Sequence, residues 1–334
     1  MKPTLRTGLV FLAILLLLPS CGRTPKKRTA TVFAMNTVMN LTVYGSADAI
    51  AASEARIRES ERLFSVTDEE SEIFAVNRNG GGEVSAETAV LIAAALTFGA
   101  RTEGALDITV YPVVRAWGFT TGNHRVPDAA ELEELLTSVG YDRVTVSGNT
   151  VTLAENTEID LGSVAKGYTA DCLTALLREA GVTSALLNLG GNVQAVGSRP
   201  DGKDWRVAVR NPNGKEYVGV LSVSDRAVVT SGGYERYFER NGQIYHHIID
   251  PATGYPAKSG LSSVTVVAES GLLADALSTA LYVMGLDRAT AHWKEYRDFD
   301  AVFIDDEGEL YITEGLENVF SAWSSDAKVT VIRP

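Results

Sequence analysis

The stretch GLLADALSTALYVMG, residues 271–285, constrains the fold of this chain more than any other segment. Its spacing is helical, but its apolar residues lie on nearly every side of the helix instead of along one stripe. A helix of this kind is stable only when other elements cover it from all sides. We therefore predict that residues 271–285 form a buried helix and that the rest of the chain packs around it.

The remaining segments mix strands and helices without the regular alternation of a βαβ protein. A hairpin that turns at Ser147–Asn149 is predicted within residues 142–160, and successive strands are predicted between residues 185 and 250. No Pro/Gly-rich linker divides the chain. These features predict a single α+β domain with a large, mostly antiparallel sheet and packed helices. Helical spacing also predicts helices at residues 48–65, 85–104, 129–140 and about 165–180.

The N-terminus has the features of a secretory signal. Lys2 and Arg6 precede the apolar run 8–18, which is too short to span a bilayer because that needs roughly 20 residues. The following LPSC, residues 18–21, resembles the bacterial lipoprotein box, although Pro19 is an unusual occupant of its middle position. An uncleaved N-terminal anchor is the alternative. In either case the folded part lies outside the cytoplasmic membrane.

We accordingly divide the chain into a signal peptide at residues 1–20, a lipidated Cys21 with a basic tether at 21–30, and a folded domain at 31–334. The expected location is the periplasmic side of a bacterial membrane, with the protein anchored by lipid. Cys172, the only other cysteine, is predicted to be a small core residue.

The charge of the chain argues against nucleic acid as a partner. The formal net charge is −12 and becomes −14 when Lys2 and Arg6 leave with the signal. No basic stripe follows the tether, and binding to phosphate backbones depends mainly on Lys and Arg.

Within the predicted buried helix, Asp275 and Thr279 lie four residues apart and so share one face. A buried carboxylate costs several kcal/mol unless it is paired, hydrogen-bonded or bound to a cation. Carboxylate and hydroxyl oxygens suit a hard cation such as Mg²⁺. A hydrogen bond between the two side chains, or a contact with backbone, would satisfy the carboxylate as well, so the spacing alone leaves both possibilities open.

The stretch IDLGSVAKGYTAD, residues 159–171, indicates an anion site. A strand is expected to end at Asp160, and a helix begins near Ala165 with Lys166 in its first turn. Free N–H groups at such a helix start favour an anion, and a lysine there is better placed to bind phosphate than to stabilise the helix. The order of residues is not that of a P-loop. An ordinary strand–turn–helix is the alternative.

Several segments taken together resemble the ApbE family of FAD:protein FMN transferases. They are AMNT (34–37), SEIFAVN (71–77), ALDITVYPVVRAWGF (105–119), DLGSVAKG (160–167), LNLGGNV (187–193), TSGGYER (230–236), HHIIDPATGYP (246–256) and ADALSTAL (274–281). The resemblance implies a T-fold-like domain that holds FAD and Mg²⁺ and moves FMN from FAD onto a Thr or Ser hydroxyl of a target protein, with release of AMP. It also agrees with a membrane-anchored lipoprotein.

The resemblance further implies roles for individual residues. Where many members have S-T-Y, this chain has Ser65-Val66-Thr67, so the usual aromatic is missing at Thr67. The paired glycines inside an apolar strand also suggest close approach of a ligand. The implied metal ligands are Asp275, Thr279 and a backbone oxygen at Ser163, and the implied FAD-binding residues are Met35, Ala105, Leu106, Asp107, Asp160, Lys166, Gly190, Gly191 and Ser231.

Two of the four histidines, His246 and His247, are adjacent. Neighbouring residues of a strand face opposite sides, so both cannot enter one site. The family pattern H-I-x-D-P-x-T-G-x-P aligns its histidine with His247, which we take as the base for the target hydroxyl, with an ordinary pKa of about 6.5. Asp250 is expected to orient His247 or to replace it as the base.

Three other functions are compatible with these segments to different degrees. A pyrophosphatase would use water in the same site and hydrolyse FAD to FMN and AMP. A non-catalytic lipoprotein would bind flavin for storage or delivery. A solute-binding lipoprotein is disfavoured because such proteins have two α/β lobes. The resemblance implies a redox protein as the target, with a D-x-[ST]-[GS]-A-[ST]-like motif.

Overall fold

The computed structural model describes residues 26–214 and 216–334. The predicted signal peptide and Cys21 lie outside the described residues. No helix in the described ranges has the length and apolar character needed to cross a membrane. The helices are α1 (Ala47–Phe64), α2 (Glu72–Asn79), α3 (Ala86–Arg101), α4 (Tyr111–Ala116), α5 (Ala129–Leu136), α6 (Ala165–Glu179) and α7 (Gly271–Tyr296). The strands are β1 (Lys27–Ala34), β2 (Thr37–Tyr44), β3 (Gly81–Glu83), β4 (Val144–Ser147), β5 (Thr150–Leu153), β6 (Ala185–Leu189), β7 (Asn192–Val196), β8 (Trp205–Arg210), β9 (Tyr217–Val223), β10 (Ala227–Gly232), β11 (Tyr237–Arg240), β12 (Gln243–His246), β13 (Leu261–Ala268), β14 (Asp300–Asp305), β15 (Leu310–Thr313), β16 (Phe320–Ala322) and β17 (Val329–Ile332).

A nine-stranded sheet forms the centre of the molecule. Its strand order is β1-β2-β6-β7-β10-β13-β14-β15-β17. Every neighbouring pair is antiparallel except β15 and β17, which run parallel. The prediction of an α+β domain with a large, mostly antiparallel sheet is therefore confirmed.

Helices α1, α6 and α7 cover one face of this sheet. Buried residues of α1 and α6 pack with β1, β2 and β6 in one apolar cluster, and α7 packs with β10, β13 and β14 in another. The opposite side of α7 contributes Ala276 and Ala280 to a third cluster, which contains α2, α3 and the small sheet β3-β5-β4. Helix α7 is thus enclosed between two apolar layers, as its apolar surface predicts.

A three-stranded sheet, β16-β9-β8, packs on the other face of the central sheet. The strands β11 and β12 form a separate two-stranded ribbon, joined by a turn at Asn241 and Gly242. The aromatic residues Phe238 and Tyr245 of this ribbon pack against Trp117, just after α4. One face of the ribbon therefore packs against the region of α4.

Several element boundaries differ from the predictions, and helix α3 ends at Arg101, three residues before the predicted end. Strand β1 begins at Lys27, inside the predicted tether, because its backbone pairs along its whole length with β2. Helix α5 ends at Leu136, four residues early, and a turn follows. Helix α7 continues to Tyr296 beyond a break at Gly285, whose φ of 77° lies outside the helical region. A Cβ at Gly285 would lie 2.8 Å from the Ser259 carbonyl oxygen.

The segment before α6 is irregular and not a strand up to Asp160. Strand β5 ends at Leu153, and Ile159 pairs instead with the side chain of Asn77. The Asn77 amide donates to the Ile159 carbonyl and accepts from the Ile159 N–H, both at 2.8 Å. Asn77 therefore replaces a neighbouring strand and holds the segment that leads into the predicted anion site. Cys172 is half-buried on α6 and not a core residue.

Candidate active site

Two adjoining cavities open between the end of the central sheet, α6, α7 and the ribbon. The first has a volume of about 210 Å³ and the second about 460 Å³. A cavity of the second size is within the range of small-molecule sites, roughly 300–1,000 Å³. Both cavities are lined by Phe119, Thr120, Asp160, Gly162, Lys166 and Arg236. The shared lining makes them one elongated site, suited to an extended ligand.

The irregular segment before α6 forms the floor common to both cavities. The Asp160 carboxylate accepts from the Gly162 N–H at 2.8 Å, and burial raises the pKa of Asp160. The Lys166 ammonium donates to the Gly162 carbonyl at 3.0 Å and lies 3.6 Å from the Asp275 carboxylate. Helix α6 has no side-chain cap at its N-terminus. A cation and the start of a helix thus face the cavity together, as an anion site requires.

Asp275 and Thr279 of α7 both line the first cavity. The Asp275 side chain is almost fully buried, and its Oδ2 accepts from the Gly167 N–H at 2.8 Å. Thr279 Oγ1 lies 3.3 Å from the hydroxyl of Ser231. The carboxylate is therefore satisfied partly by backbone, while no hydrogen bond joins Asp275 to Thr279 in the described residues. Across residues 26–214 and 216–334, the one charged partner of Asp275 Oδ1 is the Lys166 ammonium at 3.6 Å.

These oxygens fit Mg²⁺ if the ligand completes the coordination. Within the described ranges, no group of three or more His, Cys, Asp and Glu side chains could hold a metal. Mg²⁺ does not need such a group, since it usually binds one or two carboxylates and takes its other oxygens from water and substrate phosphates. Asp275 and Thr279, together with Ser163 on the same cavity wall, provide a partial set of this kind.

The far wall comes from the ends of β1, β6 and β10. Gly190 lines the first cavity, but a Cβ there would lie 2.3 Å from Thr37 Oγ1, so its glycine serves the packing of β2 as well. Gly191 is not part of the lining. Met35 lines the second cavity from the turn between β1 and β2, with a positive φ of 49°. Glu61 Oε1 accepts from the Met35 N–H at 2.7 Å and holds this uncommon conformation.

His247 follows directly after β12 and lines the first cavity, whereas His246 lies on the other side. His246 Nε2 is 3.1 Å from the Ala257 carbonyl, and its ring packs edge-on against Tyr282. His247 Nδ1 is 3.2 Å from the Arg236 carbonyl. A carbonyl only accepts, so Nδ1 carries the proton and Nε2 of His247 keeps its lone pair.

The pKa of His247 departs from the ordinary value that we expected. Burial lowers the pKa of His247 to about 3, with the Arg236 and Lys166 cations acting in the same direction. The ring is therefore neutral over the whole physiological range in the ligand-free protein. Negative charge brought by a ligand would raise the pKa again.

Asp250 does not take the position that the sequence suggested. Its carboxylate accepts from the Ala252 N–H at 2.9 Å and from the Thr253 hydroxyl at 3.2 Å, and it does not line either cavity. The partner of His247 Nδ1 is the Arg236 carbonyl instead. Asp250 therefore fixes its own turn and does not orient His247, because Asp–Pro–x–Thr–Gly satisfies its carboxylate locally.

The charges around the first cavity are predominantly negative. Four carboxylates line it, against the two cations Lys166 and Arg236. Burial raises the pKa of Asp107, whose carboxylate is held by the backbone and hydroxyl of Thr109. Burial also raises the pKa of Glu235, in spite of nearby cations. The four carboxylates are those of Asp107, Asp160, Glu235 and Asp275. An anionic ligand would be repelled here unless a metal cation accompanied it.

Most residues implied by the resemblance are brought together, and two are not. Gly191 and Asp250 lie outside both linings, and sequence reasoning missed Glu235 and Arg236 although TSGGYER contains them. Their position directly after the glycine-rich end of a strand was the feature of the sequence that could have indicated them. The implied residues that line the cavities are Met35, Ala105, Leu106, Asp107, Asp160, Ser163, Lys166, Gly190, Ser231, His247, Asp275 and Thr279.

Comparison with known proteins gives consistent results. The sequence profile of the ApbE family matches residues 35–303. The chain is similar to the FAD:protein FMN transferase of Klebsiella pneumoniae (strain 342), with 32% identity over 304 residues that cover 88% of this chain and 94% of the relative. Its fold is similar to the crystal structure of the ApbE protein of Thermotoga maritima, with a TM-score of 0.82, 34% identity, and coverage of 87% and 98%. The Pseudomonas stutzeri flavinyl transferase ApbE, apo form, gives a TM-score of 0.77 at 29% identity and covers 90% of this chain and 95% of its own.

Proposed function

This chain belongs to the ApbE family, and from that premise we propose that it is an FAD:protein FMN transferase. It moves FMN from FAD through a phosphoester bond to a Thr or Ser hydroxyl of a target protein and releases AMP. The observation that carries this proposal is the position of His247. A neutral imidazole with a free Nε2 faces the same cavity as Lys166 and the buried carboxylate of Asp275.

The proposed reaction is a displacement at the FMN-side phosphorus of FAD. The target hydroxyl oxygen forms the new bond to phosphorus, the bridging P–O bond breaks, and AMP leaves with that bond's electron pair. His247 Nε2 accepts the proton of the hydroxyl as its oxygen attacks. The Arg236 carbonyl keeps the ring in the tautomer that can do this. Such a base typically contributes about 10² to 10⁴ in rate.

Lys166 and a metal share the task of balancing charge on the phosphates. The Lys166 ammonium provides one positive contact at the floor of both cavities. Asp275, Thr279 and the backbone of Ser163 would hold Mg²⁺, which supplies neutralisation of the negative charge that grows on the leaving phosphate. The excess of carboxylates around the first cavity supports this assignment, since the pyrophosphate would otherwise meet mainly negative charge.

The experiment that tests the proposal uses the purified chain from Gly22 onward. It is incubated with FAD, Mg²⁺ and a target protein that carries a D-x-[ST]-[GS]-A-[ST]-like motif, and the target is then analysed by mass spectrometry. We expect a mass increase equal to one FMN phosphoester and one AMP released per modified target. AMP release without modification of the target would contradict the transferase.

Hydrolysis of FAD is the second candidate, and one observation favours it. Thr67, where many members have an aromatic, lines the second cavity next to Val66 and provides no ring at that position. Water could then compete with the target hydroxyl for the same phosphorus. Incubation with FAD and Mg²⁺ in the absence of any target, followed by an assay for free FMN and AMP, separates the two reactions.

We propose further that the protein is a lipoprotein anchored through Cys21 on the periplasmic side of a bacterial membrane, with a redox protein as its target. The apolar run and LPSC in the sequence support the anchor. Labelling with a radioactive fatty acid tests it. The full chain should take up label, and a Cys21→Ser variant should not.

A further inference from the structure

Helices α6 and α7 begin with the same five-residue pattern. Residues 167–171 are Gly-Tyr-Thr-Ala-Asp and residues 271–275 are Gly-Leu-Leu-Ala-Asp, so both read Gly-x-x-Ala-Asp. Each pattern lies in the first turns of its helix, and the two helices pack on each other directly.

The two patterns contact each other reciprocally. The aspartate of α6, Asp171, accepts from the Gly271 N–H at 2.6 Å, from the Leu272 N–H at 3.0 Å and from the Ser270 hydroxyl at 2.7 Å. The aspartate of α7, Asp275, accepts from the Gly167 N–H at 2.8 Å. Each carboxylate therefore binds the backbone at the glycine of the other helix. We call this arrangement the aspartate clasp, formed by Gly167, Asp171, Gly271 and Asp275.

The glycines make the clasp possible. A Cβ at position 167 would lie 2.2 Å from the Gly271 carbonyl oxygen, and a Cβ at position 271 would lie 2.6 Å from the Gly167 carbonyl oxygen. Both distances are far below van der Waals contact. The helix starts can approach to this distance only because neither glycine has a side chain.

The two aspartates differ in what they leave free. Asp171 uses both carboxylate oxygens in its three hydrogen bonds and does not line either cavity. Asp275 commits Oδ2 to Gly167, lines the first cavity and keeps Oδ1 3.6 Å from the Lys166 ammonium. Both carboxylate oxygens of Asp171 are thus used within the protein, whereas Asp275 presents one oxygen to the ligand.

We propose that Asp171 is a positioning residue for the metal site, because it fixes the start of α7 so that Asp275 faces the cavity beside Lys166. This inference rests on the proposed metal at Asp275. Without Asp171, the N-terminus of α7 is no longer held at Gly271, one turn before Asp275. The distance between the Asp275 carboxylate and the start of α6 then varies. A metal ion needs that separation within a few tenths of an ångström. FAD that is bound without a metal ion does not depend on this separation.

The test measures FAD affinity by calorimetry in Mg²⁺ and in EDTA, at a temperature well below unfolding. The ratio of the two dissociation constants gives the coupling between FAD and Mg²⁺. We expect this coupling to fall at least tenfold in Asp171→Ala and about threefold in Asp171→Asn, which keeps one acceptor oxygen. The dissociation constant in EDTA should change less than twofold in both.

The control is Asp128→Ala, which removes a similar helix cap, the 2.8 Å contact with the Glu131 N–H, at the start of α5. It should lower thermal stability and leave the coupling unchanged. The inference is overturned if Asp171→Ala and Asp171→Asn keep the wild-type coupling, or if their affinity in EDTA falls as much as that in Mg²⁺. If Asp171→Ala does not fold, Asp171→Asn decides the matter. FMN transfer is assayed in the same preparations, so an inactive wild type would contradict the proposed function separately.

Discussion

At the scale of single residues, adjacent side chains can have unrelated tasks. His246 packs between Ala257 and Tyr282, while His247 faces the first cavity with its Nδ1 proton held by the Arg236 carbonyl. The difference follows from strand alternation, because His246 is the last residue of β12 and His247 continues the chain directly after it. Only one of the two rings is therefore available for proton transfer.

Substitution should separate the two histidines. His247→Ala is expected to lower the rate of FMN transfer by about 10² or more, since it removes the base, with little change in FAD affinity. His246→Ala should change the transfer rate much less. Single-turnover transfer assays and FAD titrations measure both effects. Equal losses of rate in the two variants would contradict the assignment of His247 as the base.

The pH dependence should distinguish the free enzyme from the FAD complex. Protonation of Nε2 removes the base, so the rate falls as pH falls through the pKa of His247. In the free protein that pKa is about 3, and the acid limb of kcat/KM due to His247 should lie well below pH 6.5. The pyrophosphate of bound FAD raises the pKa, so the limb of kcat should lie at higher pH. Coincident limbs near pH 6.5 would show that burial does not act on this ring as described.

Asp275 should matter for the metal and not for the fold. Asp275→Ala is expected to abolish Mg²⁺-dependent turnover while the protein remains folded, because the variant removes a buried charge together with one hydrogen bond. Turnover is measured over a range of Mg²⁺ concentrations, and unfolding is measured without metal. Asp287→Ala, an exposed position on the same helix, serves as the control. Wild-type activity of Asp275→Ala at limiting Mg²⁺ would exclude the metal assignment.

Whether the role of a residue can be predicted from the sequence depends on whether neighbouring residues determine that role or residues that approach only in the fold. The opposite orientation of the two histidines follows from a period of two residues and needs no tertiary information. We expected Asp250 to orient His247 or to replace it as the base, although the turn pattern Asp-Pro-x-Thr-Gly could have indicated its role in its own turn. The low pKa of His247 was not predictable, because it comes mainly from burial and then from the nearby cations Arg236 and Lys166, and these surroundings arise only in the fold.

At the scale of elements, the contact between α6 and α7 determines the site. The burial of α7 was predictable from its apolar surface, and so was the start of α6. The pairing of the two helices was not, because Asp171 and Gly271 are separated by 100 residues. The irregular segment held by Asn77 was missed for the same reason, since its partner lies 82 residues away.

A side chain at Gly167 should damage this contact. Gly167→Ala places a Cβ 2.2 Å from the Gly271 carbonyl oxygen, so the helices must separate. We expect a loss of about 1–3 kcal/mol in the free energy of unfolding, as for other overpacked sites, together with weaker Mg²⁺-dependent FAD binding. Gly214→Ala, where the nearest atom would be 3.5 Å away, is the control. Denaturant unfolding measures the difference, and equal stability of the two variants would be inconsistent with the close approach.

At the scale of the whole molecule, the first strand is both an edge of the central sheet and a neighbour of the site. The turn after β1 presents Met35 to the second cavity. A chain that starts at Gly22 is expected to bind FAD in the presence of Mg²⁺. A chain that starts at Thr37 lacks β1 and Met35 and should bind at least tenfold more weakly, or fail to fold. Calorimetry with circular dichroism checks both, and full affinity of the shorter chain would remove Met35 from the site.

The position of β1 also has a mechanical consequence. The first strand and the last strand, β17, occupy opposite edges of the nine-stranded sheet. A pull between the two ends of the described chain therefore acts across the strands and not along them, and it loads the pairs of β1 with β2 one after another, beginning at Lys27 and Tyr44. The sheet should yield by peeling at low force. Met35 is at the far end of that hairpin, so a load on the N-terminal end of β1 would reach the second cavity last.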